Sequence, residues 1–311
     1  MGAKRFFGMF KQAVNDFIAD EAMTLGAALA FYAMLSLAPL LILVFSVVGL
    51  AGEGFREDLT ANIKAQVDPK AEGAVDLVVS NASQQQRTGI ISTIISLGLL
   101  VLSATAVFAQ LQTSLNKIWD VEARSGQGVW GWIHKRLLSL AMVAGIGVLA
   151  LASVLVSSWI GRATMGGWAF WKVLDTAVSV GVFVAVFGLI YKFLPDVRIG
   201  WQEVWVGALI TAVLFVLGKY ALSQYFAYSS VGSVYGAAGS LVALLLWIYY
   251  STLIFFFGAE LTQVYADRYG RLIEPDEHGQ WAPDAKWKQR NQEREEAPED
   301  QIKHVQGGEK T

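Results

Sequence analysis

The chain contains no cysteine, so neither a disulfide framework nor a thiolate metal site can be built from it. Histidine is almost as scarce: of three, His278 and His304 fall in a polar C-terminal stretch, and His134 stands alone in a short connection. Zinc hydrolysis needs several ligands around one water, and two-metal phosphodiester chemistry needs clustered carboxylates. Neither constellation is visible, and Asp120 and Glu122, near His134 in sequence, read as a solvated loop surface. No glycine-rich phosphate loop, G-x-S-x-G elbow or H-E-x-x-H motif occurs. These absences argue against a nuclease, another hydrolase or a self-contained ATP-driven pump. The expectation is a protein that is not an enzyme and takes no cofactor. Charge is scarce as well: 16% of the 311 residues are charged, where soluble domains carry about a quarter. The net charge of −2 creates no field that would gather nucleic acid.

What the chain has in abundance is apolar sequence. The run from Ala22 to Gly52 carries no charge, and at about 1.5 Å per residue it exceeds a hydrocarbon core of roughly 30 Å. A membrane-spanning helix is expected there, far too long for a signal-peptide core and therefore retained. Pro39 lies near its middle and cannot donate to the carbonyl of Leu35, so a kinked or broken span is expected, facing protein and not lipid. Five further apolar segments lead to an all-α, polytopic membrane protein. Its six-helix bundle fills residues 21–266, with spans at about 25–50, 90–114, 137–160, 174–194, 203–222 and 240–262. Eight of the eleven tryptophans sit near span ends, where indole rings favour the membrane interface.

Three segments lie outside the spans. Residues 1–20 place Phe6, Phe10 and Phe17 at helical spacing and read as an amphipathic interfacial helix. Phe55, Leu59, Ile63 and Val67 recur every fourth residue in the loop after the first span, which predicts a small helical periplasmic cap. Residues 267–311 hold eleven of the 26 acidic residues and few aliphatics, so a polar, mostly disordered cytoplasmic tail is expected.

Polar residues inside the spans are the candidates for function. On the second span Ser92, Ser96, Ser103, Gln110, Thr113 and Lys117 form one stripe at 100° per residue, expected to face the bundle interior as helix glue or as a polar path. Gly232, Gly236 and Ser240 make a small-xxx-small pattern before the sixth span. Lys172, Lys192 and Lys219 are placed to snorkel from span ends. With six spans, Lys and Arg near span ends number eleven on the terminal side and seven on the other, which puts both termini in the cytoplasm. Lys219 and Glu260 then sit at opposite membrane faces and cannot pair. A partner for Glu260 is expected among cytoplasmic-side groups such as Lys117, Arg136 or Lys192, the alternative being a protonated or ligand-responsive carboxylate.

FYAMLSLAPLLIL (Phe31 to Leu43), LNKIW (Leu115 to Trp119), YGAAGS (Tyr235 to Ser240) with Leu245, Leu246, Trp247 and Tyr249, and GAEL (Gly258 to Leu261) follow one another in order. On these motifs the chain resembles the YihY/virulence factor BrkB family of bacterial inner-membrane proteins over residues 5 to 270. The resemblance implies a six-span helical inner-membrane protein. The family once carried a misattributed ribonuclease BN label, and members are linked to virulence or to export of envelope lipids. The expected activity is translocation of a lipid-like or amphipathic envelope component, with membrane lipids as partners. The candidate cavity between spans one, two and six is built from Tyr32, Ser36, Pro39, Ser103, Gln110, Asn116, Tyr235, Gly236, Gly239 and Glu260. The competing reading is an envelope scaffold that binds other envelope proteins or copies of itself, in which the same features are helix packing.

Overall fold

The computed structural model describes residues 3–49, 90–124, parts of 141–152, 169–228, 238–269 and 273–283. The expected cap, most of the third span, Tyr235, Gly236 and the chain after residue 283 lie outside the described residues. Among the described residues, six long helices dominate: α1 (Ala3–Ala19), α2 (Ala22–Gly49), α3 (Ile90–Ile118), α4 (Ala169–Phe193), α5 (Trp201–Tyr228) and α6 (Gly239–Tyr269). Four short strands accompany them there: β1 (Val121–Ala123) after α3, β2 (Val197–Arg198) after α4, and β3 (Glu274–Pro275) and β4 (Gly279–Trp281) after α6. The 25 and 28 residues of α4 and α5 exceed the charge-free stretches within them, so each helix reaches well past its apolar centre. Among the described residues, Trp201–Tyr225 and Gly239–Arg268 are long and apolar enough to cross a membrane.

The span expected to be broken or kinked at its proline is one continuous helix. Helix α2 runs unbroken through Pro39, and the sharp change of direction, 65°, separates Phe7–Ala19 from Ala22–Leu37. Glu21 takes a left-handed φ of 56° at that corner, and its carbonyl then accepts from the N–H groups of Thr24 and Leu25 to start α2. Nor does α1 lie apart from the bundle as a free surface helix. Met9 and Ala13 pack with Leu261 and Val264, Phe10 and Phe17 meet the ring of Phe257 edge-on, and Arg268 donates to Gln12 Oε1 at 2.6 Å.

Helix α2 packs along α3 and α6, and α5 packs between α4 and α6. The α5–α6 contact is made by two copies of one pattern, Gly207-Ala208-x-x-Thr211 and Gly258-Ala259-x-x-Thr262. The helices are antiparallel neighbours, so the missing side chain of Gly207 makes room for Thr262 and that of Gly258 makes room for Thr211. Each threonine hydroxyl donates to the glycine carbonyl one turn earlier on its own helix, at 2.8 and 2.7 Å, which leaves no unmet donor at the contact. Beside this contact lies an aromatic core: Trp119 against Tyr191, Tyr191 against Phe255, and Phe187 against Phe215 and Phe255.

The segment after α6 is not a free tail up to residue 283. Strand β4 pairs antiparallel with β1, with Glu122 opposite Gln280, and β3 pairs antiparallel with β2, with Arg198 opposite Glu274. Backbone groups alternate between partners along the segment: Asp276 N–H donates to Asp196, Ala282 N–H to Asp120, and Arg124 N–H to His278. Ile273 is buried and Trp281 packs on the core, so two apolar side chains suffice to anchor a polar stretch whose backbone bonds are met.

Candidate functional site

Two sites stand out in this arrangement, a buried polar junction where the strands meet the helix ends and an apolar groove beside α1. At the junction Asp196, on the turn after α4, is buried and accepts from Asn116 Nδ2 at 2.8 Å and Gln112 Nε2 at 3.1 Å. Its own N–H donates to Asn116 Oδ1 at 2.9 Å, so the two residues grip each other across α3 and α4. Asp120 closes α3 in a left-handed conformation, φ 59°, which aspartate tolerates, and accepts from Gln263 Nε2 at 3.0 Å. Trp119 Nε1 donates to the carbonyl of Ala259 at 3.2 Å. Asp276 caps its own turn by accepting from the N–H groups of His278 and Gly279. A side chain on Gly279 would collide with the carbonyl of Asp196, so only glycine fits at that crossing.

The bonds of Asn116, Gln112, Trp119 and Gln263 each reach another part of the protein, which makes the junction a clamp on the helix ends. Asn116 belongs to the clamp. Ser36 is buried and donates to the carbonyl of Ala33 on its own helix at 2.9 Å. Tyr32 is exposed, its ring against Phe31. Gln110 donates to Ser114 Oγ at 3.3 Å. Pro39 and Ser103 lie within α2 and α3, and Gly239 begins α6. Glu260 is fully buried beside Ala259. Two of the partners expected for it are engaged elsewhere: Lys117 pairs with Glu21 at 3.1 Å, and Lys192 donates to the carbonyl of Ile199. At its described end, from Gln110 to Lys117, the stripe on α3 does not all point inward. Thr113 and Lys117 are exposed, while Thr105 and Ser114 are buried hydroxyls on that helix.

The groove opens outward between three helices and has a volume of about 500 Å³. Helix α1 contributes Phe10, Val14 and Phe17, α5 contributes Leu214, Leu217, Gly218 and Ala221, and α6 contributes Tyr250, Leu253, Ile254 and Phe257. The Tyr250 hydroxyl is the single polar side-chain group in that lining. Gly218 sets the groove's depth, because a side chain there would run into Ile254 and Tyr250. Periodicity shows Phe10 and Phe17 on one face of α1, yet nothing in the sequence pairs that face with α5 and α6. No single helix carries the signal.

Helices of this length and apolarity define a helical membrane protein. A family profile described as virulence factor BrkB matches residues 13–283, and the chain belongs to that family. Similar proteins are named UPF0761 membrane protein. One from Tolumonas auensis is 30% identical, covering 84% of this chain and 85% of its own length. One from Pseudoalteromonas translucida is 28% identical over 82% of this chain and 85% of its own length. One from Psychrobacter is 25% identical over 83% of this chain, which spans 48% of that longer protein. No solved structure matches the chain. The matched region includes the strand-paired segment after α6.

Proposed function

We propose that this protein is a bacterial inner-membrane carrier that binds and moves a lipid-like or amphipathic envelope component. The observation that carries the reading is the groove: an outward-facing, apolar recess walled by two helices of membrane-crossing length, with one hydroxyl in its lining. A recess of that kind takes an apolar ligand oriented by few polar groups. A small ion would need a charged or carbonyl-lined path. The reading includes six spans with both termini cytoplasmic, in keeping with the excess of Lys and Arg on that side, and assigns neither catalysis nor a nucleic-acid partner.

The test is movement of a headgroup-labelled, quenchable phospholipid between leaflets of proteoliposomes. Wild-type protein should exceed the empty-vesicle rate, and Ala221→Phe, which fills the groove from its exposed rim, should lower that rate at least several-fold. Glu260→Gln, at the fully buried acid of α6, asks whether that carboxylate takes part. A wild-type rate equal to that of empty vesicles, with folded protein in the membrane, rejects the carrier in favour of a scaffold.

A further inference from the structure

Helix α1 forms one wall of the groove, and charge lies beside that wall. On α1 the residues Phe10, Val14 and Phe17 face the groove. The next face of the same helix presents Phe7, Lys11 and Ile18, all exposed. A lysine flanked by a phenylalanine one turn before and an isoleucine two turns after is suited to a lipid surface, the apolar pair entering the acyl region and the ammonium group staying with the headgroups. No acidic residue lines the groove. Lys11 follows Phe10 in α1, so its exposed ammonium group stands beside the lining, on the adjoining face of that helix. The groove follows α5 from Leu214 to Ala221, a rise of about 10 Å, suited to part of an acyl chain.

We propose that the groove seats an acyl chain of an anionic membrane lipid whose headgroup is held by Lys11. This rests on the reading of the groove as the lipid-handling site. The cation–anion contact sits at a water-accessible rim, so it sets preference between headgroups more than total affinity.

The absence of cysteine allows a clean test with a thiol-reactive fluorophore on Leu214→Cys. The protein is placed in vesicles containing phosphatidylglycerol or phosphatidylcholine with brominated acyl chains, which quench at contact range. The expected result is half-maximal quenching at a several-fold lower mole fraction of brominated phosphatidylglycerol than of brominated phosphatidylcholine. Lys11→Gln should make the two lipids equal, and Ala221→Phe should weaken quenching by both. Equal quenching by both lipids with Lys11 in place overturns the charge preference while leaving the groove as a lipid site. A label at position 214 that no brominated lipid quenches, while one at Val213→Cys on the exposed face of α5 is quenched, overturns the lipid reading of the groove altogether. Disulfide-linked dimers of the unlabelled Leu214→Cys variant would overturn it in favour of a second copy of the chain.

Discussion

Gly207 and Gly258 carry more of the fold than their size suggests, because each is the notch into which a threonine of the facing helix fits. Gly258→Leu should push against Thr211 and Tyr191, and overpacking of this kind costs about 1–3 kcal/mol. Gly98 of α3 has open space where a side chain would begin, so Gly98→Leu should change stability by no more than about 0.5 kcal/mol. Thermal midpoints of the detergent-solubilised protein, followed by loss of the monodisperse peak, would check both. The repeated Gly-Ala-x-x-Thr pattern is legible in the sequence once both copies are set side by side. Its reciprocal fit is not, because that requires knowing that α5 and α6 are antiparallel and in that register. Asn116 reads as a polar group in a span, but its meaning lies in Asp196, 80 residues away. Asn116→Ala should cost about 1–3 kcal/mol, the penalty for leaving a buried acceptor short of a donor, measured in the same way. The exposed pair Lys117–Glu21 should contribute at most about 1 kcal/mol. Its role is to hold the α1–α2 corner against the end of α3.

At the scale of elements, the segment after α6 is the feature that composition describes least well. Eleven acidic residues beyond residue 266 argue for a solvated chain, yet residues 273–283 are held by two strand pairs and by the buried Ile273. Strands of two or three residues leave almost no periodicity to detect, and their partners lie about 80 to 160 positions away in sequence. The register is directly testable. Glu122 and Gln280 are Cα partners, and opposed antiparallel residues lie about 4.5–5.5 Å apart, within disulfide reach. Glu122→Cys with Gln280→Cys should close under mild oxidation, whereas Glu122→Cys with Glu277→Cys, three positions out of register, should not. Mass spectrometry of alkylated thiols distinguishes the two. Helix α1 shows the same limit of local reasoning. Its amphipathic pattern is plain, but the pattern does not say whether the apolar face meets lipid or α6. In the structure one face meets α6 and the next lines the groove.

For the molecule as a whole, the strand pairs and the clamp bring the end of α3, the α4–α5 turn and the end of α6 to one end of the bundle, and Arg268 brings the start of α1 to the same end. These points must share one side of the membrane. Single cysteines at Glu122, Arg198 and Glu277 should therefore react with an impermeant thiol reagent from the same side, the cytoplasmic one if the charge asymmetry orients the chain. Labelling of any one of them from the opposite side to the other two would contradict the fold.

Long apolar runs without charge determined by themselves that this chain is a helical membrane protein. Solvent preference is a property of composition, and a long stretch without charge has one favourable environment. The motifs along the chain were also enough to indicate its family, now supported by a match over residues 13–283. Only the tertiary structure decided where the helix axis turns, which polar residues are clamp members, and that α1, α5 and α6 together enclose an apolar groove. Those properties belong to pairs and triples of helices. Their register and facing are set by side-chain fit across long sequence separations, as between Gly207 and Thr262, and no single segment encodes that fit.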